Sequence, residues 1–211
     1  MQLFTKFTSH DQMSRQISFG IILTALTFIF SIAVLPAQSK AEIGNITVSA
    51  AKSPDFSVGS GLKEPKGARK DWLQIDVSFT ASSRDRDDFM NSLEIRFFVL
   101  PKSAEKKYLK VYTATVKHVD VLKGEELHSA VYLSPNSLAR IYGKGKKPNP
   151  RDLWVAVEIH AGQIIGGDVT DGKTSRWWQK ADAPRDASML RPKSKTPFAN
   201  LWFDSYAETR D

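Results

Sequence analysis

Residues 73–79 read Leu-Gln-Ile-Asp-Val-Ser-Phe, apolar and polar side chains alternating without a miss. A β-strand points successive side chains to opposite faces, so Leu73, Ile75, Val77 and Phe79 share one buried face. The same period returns in Leu93, Ile95, Phe97 and Val99, in Leu127 to Leu133, and in Leu153, Val155, Val157 and Ile159. Trp154 and His160 then face away from that last apolar row. A helix cannot bury such a pattern on one side, and four such segments in one chain require stacked sheets.

Weaker strand signals fill the gaps. Ile46, Val48 and Ala50 suggest a first strand. Tyr108 to Val121, rich in Val, Tyr and Thr, fits one bent strand or two. Ile164–Thr170 and Thr174–Gln179 flank Asp171-Gly172, a dipeptide suited to a tight hairpin turn. The count is about seven or eight strands at nearly regular spacing, which predicts an all-β sandwich or small barrel. One short helix is expected within Ser134–Gly143, with a Ser cap, Pro at its first position and Gly at its end. Loops are marked by Gly59–Gly67, Ser82–Asp88 and Gly143–Pro150. After a polar, Pro-bearing stretch from Ala181 to Pro197 comes Phe198-Ala-Asn-Leu-Trp-Phe-Asp-Ser-Tyr206. So aromatic a stretch is expected to dock back on the domain, as a final strand for example.

The start of the chain has a different character. Ile17 to Leu35 is a nearly unbroken apolar run of 19 residues, preceded by Lys6 and Arg15 and followed by Lys40. As a helix it would span roughly 28 Å, about the thickness of a hydrocarbon core. Pro36 ends it, and Ala37-Gln38-Ser39 and Ser39-Lys40-Ala41 both fit the small-x-small pattern of a signal peptidase site. Residues 1–41 therefore read as a secretory signal cut near Ser39 or Ala41, with an uncleaved anchor as the alternative. A type IV pilin helix is disfavoured. Its processing site would be Gly20, but Ala25 stands where the pilin Glu belongs, and no acid occurs between Asp11 and Glu42. Residues 42–211 form one domain, outside the cytoplasm, with 181–211 docking back.

The chain has no cysteine. That excludes disulfides, Cys-ligated zinc, iron–sulfur clusters and thiol catalysis, so the exported domain must hold together by packing. A formal charge of +7 is spread along the sequence with no long basic block; it argues for solubility and against a nucleic-acid arm. His118, His128 and His160 match no metal-ligand spacing and read as strand-surface residues. Glycine-rich phosphate loops, nucleophile elbows and paired zinc histidines do not occur. In the loop Arg84–Asp88 alternating arginines neutralise the acids, which favours a solvated turn over a calcium loop. No cofactor or metal is expected, and no enzyme.

Two surface candidates remain. Lys144, Lys146 and Lys147 form the densest basic turn, which reads as a flexible turn or as a contact for acidic glycans or lipid headgroups. Trp177 and Trp178 are adjacent, so on a strand one ring is buried and the other faces outward, beside Arg176 and Lys180. The outward ring is either covered by the aromatic C-terminal segment or free to stack on a sugar or a partner.

The runs LEIRFFVL (from Leu93), YLKVYTATVKHVDVLKGEELHSAVYLSPNSLARIYG (from Tyr108), LWVAVEIHAGQIIGG (from Leu153) and TPFANLWFDSYAE (from Thr196) resemble the exported, immunoglobulin-like proteins encoded with the type IV pilus genes of verrucomicrobial bacteria. The resemblance spans most of residues 42–211. It implies a single immunoglobulin-like β-sandwich and a non-enzymatic role in pilus assembly, at the cell surface, or in adhesion to a host or extracellular glycan. It implies a protein partner at the envelope or pilus, no nucleic acid, and membrane contact only through the N-terminal segment. It brings no catalytic or ligand residues. A carbohydrate-binding module using Trp154, Trp177, Trp178 and Trp202 is the alternative.

Overall fold

The computed structural model describes residues 38–55, 69–102, 110–146, 149–170, 176–180 and 184–210. The expected signal segment up to Ala37, the loop Gly59–Gly67, Lys147 and the Asp171-Gly172 turn lie outside these residues. Among the described residues no helix is long and apolar enough to cross a membrane.

Seven strands build the frame: β1 (Lys40–Lys52), β2 (Asp71–Ser82), β3 (Phe89–Pro101), β4 (Val111–Leu122), β5 (Glu126–Leu133), β6 (Leu153–Ala161) and β7 (Gln163–Val169). Two short ones, β8 (Arg185–Asp186) and β9 (Leu190–Pro192), follow. One sheet runs β1-β2-β5-β9 and the other β7-β6-β3-β4-β8. The order 1-2-5 facing 7-6-3-4 is the immunoglobulin-like arrangement of strands A-B-E against G-F-C-C′, with β9 in the position beside E that strand D would take. The pairs are antiparallel except β4 with β8.

The four alternating segments are the four central strands. Every residue of the rows Leu73–Phe79, Leu93–Val99 and Val155–Ile159 assigned to the core is fully buried, and Leu153 and Leu127 nearly so. The one α-helix among the described residues, α1 (Pro135–Tyr142), lies where its caps place it. Ser134 Oγ accepts from Ser137 N–H at 3.1 Å, and Gly143 ends it at φ 96°.

The first strand is longer than Ile46–Ala50 suggests, because a β-bulge divides it. Ile43 pairs with Phe79, but Asn45 pairs with Ser78, so the register shifts at Gly44. Ala41 and Ile43 therefore face the core from odd positions, and Ile46 and Val48 from even ones. A bulge adds one residue and reverses the phase of everything beyond it. Glycine suits this position, since a Cβ on Gly44 would sit 2.7 Å from Ser78 Oγ and would force that side chain to move.

Both open sides of the sandwich are closed. On one, β1 packs so tightly on β7 that a Cβ on Gly166 would lie 2.5 Å from the carbonyl oxygen of Ala41. On the other, the chain passes from β8 on the edge of β4 to β9 on the edge of β5, burying Met189 and Leu190 in the core. Ser137 Oγ donates to Met189 O at 3.0 Å, tying α1 to this crossing.

Two expectations need correction. Thr174–Gln179 was expected as a strand, but Trp177–Gln179 is a 3₁₀ turn. Its two indoles pack edge to face, with ring centres 5.7 Å apart. Trp178 is buried with Phe98, Val111 and Ala156 on the outer face of the second sheet, and Trp177 packs against the same cluster. His118, expected on a strand surface, is only 1% exposed. Apolar residues occupy both phases of β4, so the sequence does not define its inward face; Val116 and His118 take it together.

Candidate functional site

The outer faces of the two sheets differ. That of the second sheet is covered by the 176–180 turn, and the acid beneath it is Glu158, 7% exposed. Glu158 Oε1 accepts from Trp178 Nε1–H at 2.7 Å and from Gln179 Nε2 at 2.6 Å; Oε2 lies 3.1 Å from His160 Nε2. Burial pushes this carboxyl up, but the hydrogen bonds from Gln179, Trp178 and His160 outweigh it and hold the acid below its ordinary pKa. All four groups are committed to each other, so this network fastens the turn.

The outer face of the first sheet is half covered. The C-terminal segment leaves β9, makes a 3₁₀ turn at Lys193–Lys195 and docks Phe198 flat on Tyr132, rings 7° from parallel with centres 4.6 Å apart. Trp72 meets Phe198 edge-on at 5.6 Å. The chain returns through a second 3₁₀ turn, Phe203–Ser205, and is held again at Tyr206. Tyr206 Oη donates to Asp76 Oδ2 at 2.7 Å, and Gln74 Nε2 donates to Tyr206 Oη at 3.2 Å. Lys193 Nζ sits 4.2 Å over the Tyr206 ring and donates to Ala199 O at 2.8 Å. The aromatic segment lies on this sheet through ring stacking and short bridges and forms 3₁₀ turns in place of a final strand; β9 precedes it.

Between these two anchors the segment turns outward at Trp202 and Phe203, which are 71% and 61% exposed. Trp202 has φ 48°, ψ 44°, in the left-handed region that large L-residues avoid. A non-glycine residue stays there only where its surroundings over-determine the backbone. Here the Phe198 stack precedes it and the Tyr206–Asp76 bond follows it.

Beside Trp202 lies a groove of about 340 Å³ lined by Thr47, Ser49, Gln74, Asp76, His128 and Tyr206. All but Tyr206 are outward residues of β1, β2 and β5: Thr47 pairs with Asp76, and Ser49 with Gln74. Asp76 Oδ1 accepts from His128 Nδ1–H at 2.7 Å, which leaves Nε2 as the ring's other polar atom. On the other side of the segment, under Phe203, is a cavity of about 260 Å³ reaching His118, Ser129 and Lys193. Ser129 Oγ–H donates to His118 Nε2 at 2.9 Å, and His118 Nδ1–H is shared by the carbonyls of Ala207 and Glu208, both at 3.1 Å. The contact resembles a nucleophile and its base. Burial, however, lowers the His118 pKa to about 4, and so weak a base takes a serine proton poorly. The pair staples the two sheets and the C-terminus together.

Lys144 and Lys146 are exposed in the turn after α1, Lys146 beside Asp71 and Leu138. They occupy a different part of the fold from Trp177 and Trp178. Trp202, Gln74, Asp76 and His128 share one groove, and of these Trp202 alone is a contact candidate from the sequence. The signal for the others was the polar phase of the best-patterned strand, Gln74 and Asp76, beneath a segment too aromatic to be a free tail. In the Arg84–Asp88 loop, Asp85 and the carbonyl of Asp87 are bound by Lys123, a cation from the turn between β4 and β5.

Comparison with known proteins bears on the fold. Among curated proteins none matches this sequence. A crystal structure from the verrucomicrobial bacterium Akkermansia muciniphila superposes with a TM-score of 0.71 at 22% identity, over 83% of this chain and 95% of that one. A protein-family model matches residues 33–211, which include the whole sandwich and its C-terminal segment. The chain belongs to the family that this model describes, and its β-rich fold is the one seen in the verrucomicrobial structure.

Proposed function

We propose that the protein is a non-enzymatic interaction module of the cell envelope, acting outside the cytoplasm, with Trp202, Phe203 and the adjoining sheet face as its contact surface. The observation that carries this reading is Trp202, a large aromatic side chain held outward in a strained backbone conformation by anchors on both sides. Exposed Trp on a rigid frame loses little entropy on binding, and Trp is prominent among residues that dominate interface energies.

The apolar leader supports export, and the resemblance to proteins encoded with type IV pilus genes supports a partner in pilus assembly or adhesion. The commitment of the Glu158 and His118 networks to internal bonds supports binding over turnover. The test is binding of the purified protein to washed envelope and sheared pilus fractions of its own cells. The double variant Trp202→Ala/Phe203→Ala is expected to lose about tenfold or more, while Phe89→Ala, at an exposed phenylalanine on β3, binds as wild type. Full binding by the double variant overturns the reading.

A further inference from the structure

We infer that the groove beside Trp202 is a binding site for a neutral carbohydrate, with the Trp202 indole as platform and the outward side chains of β1, β2 and β5 as its hydrogen-bonding floor. This rests on the contact surface proposed above and names its ligand class.

The chemistry of the floor selects the ligand. Among the described residues Asp76 is the one acid lining the groove. Its Oδ1 is taken by His128 Nδ1–H and its Oδ2 by Tyr206 Oη–H and the Gln74 amide. A carboxylate so engaged orients its neighbours and has little left for a cationic ligand. Among the described residues no Lys or Arg lines the groove, so it offers an anionic ligand neither an ammonium nor a guanidinium. The Thr47 and Ser49 hydroxyls, Gln74 Oε1 and His128 Nε2 remain, groups that between them donate and accept. Their complement is a molecule that also does both at close spacing, which is what sugar hydroxyls do. The exposed indole adds a flat apolar face, matched by the C–H face of a pyranose ring. The floor is held still: its polar groups belong to adjacent paired strands and to one hydrogen-bonded chain, Gln74–Tyr206–Asp76–His128. A volume of 340 Å³ is at the small end of ligand pockets, about 300–1,000 Å³, and suits the end of a glycan chain.

The experiment has two arms. In the first, N-acetyllactosamine and a panel of neutral galactose-, glucosamine- and fucose-terminated oligosaccharides are titrated into the purified protein while the five indole N–H signals are followed by NMR. The Trp202 signal is expected to shift with at least one sugar. Trp202→Ala, or Thr47→Trp, which fills the groove from β1, is expected to weaken that binding by about tenfold or more. In the second, envelope material is treated with periodate, which cleaves sugar diols, or with protease. Periodate is expected to abolish Trp202-dependent binding and protease to spare it. No shift with any sugar, together with binding that resists periodate and fails after protease, overturns the carbohydrate site and leaves the contact surface standing with a protein on it. Binding unaffected by Trp202→Ala in both arms overturns both.

Discussion

Ser129 and His118 meet 2.9 Å apart across the interior of the sandwich, one from each sheet, and the imidazole reaches on to the carbonyls of Ala207 and Glu208. The ring is neutral because it is buried, with a pKa lowered to about 4 from 6.5. The unfolded chain therefore binds a proton near pH 6.5 that the folded chain refuses until about pH 4. This part of the stability is complete above pH 6.5 and is lost as pH falls through that window, by about 3 kcal/mol at most. Urea unfolding at pH 7 and pH 4.5 should show the loss, and His118→Asn should flatten it. NMR of the ring protons should place the titration near pH 4; a value near 6.5 would contradict the burial.

Glu158 holds the turn that carries Trp178. In Glu158→Ala the buried Trp178 Nε1–H loses its acceptor, and an unsatisfied buried donor costs about 1–3 kcal/mol. The urea midpoint should fall with little change in slope, and the Trp177–Gln179 turn should become accessible to protease. Glu158→Gln, which keeps an oxygen acceptor, should recover part of the loss.

Phe198 is the anchor of the C-terminal segment. Removing its ring from the stack on Tyr132 and the edge of Trp72 should cost about 3–5 kcal/mol if the cavity does not collapse. Phe198→Ala should therefore be cut by protease within 193–206 at conditions where the wild type resists, and should bind envelope material weakly, because Trp202 has lost its frame.

The proposed export acquires a definite cut site. The small-x-small pattern allows cleavage after Ser39 or after Ala41. Ala41, however, is in the core, pairs with Ala81 and presses its carbonyl toward Gly166. Cleavage after Ser39 preserves β1 from its first residue, Lys40. Mass spectrometry of the exported protein should give an N-terminus at Lys40; an intact Met1 would show an anchor.

Much of the frame was legible because four central strands are buried on one face, and one buried face writes a period of two into the sequence. The helix was legible from Ser134, Pro135 and Gly143. What escaped depends on partners far along the chain. The Gly44 bulge hides the inward phase of Ala41 and Ile43. His118 has apolar neighbours on both sides of its strand, and its partners Ser129, Ala207 and Glu208 come from elsewhere. Trp177-Trp178 has the composition of a strand and the conformation of a turn because Glu158 fixes the indole. The groove was the least legible part. Gln74, Asp76 and His128 look like ordinary solvent-facing positions, and only the return of Tyr206 over them makes a site.

The account turns on the outer face of the β1-β2-β5 sheet being the working surface. Hydrogen exchange of the protein, free and bound to its envelope material, tests this directly. Added protection is predicted in residues 198–206 and at Thr47–Ser49 on β1. Protection confined to β6, β7 and the 176–180 turn would contradict it.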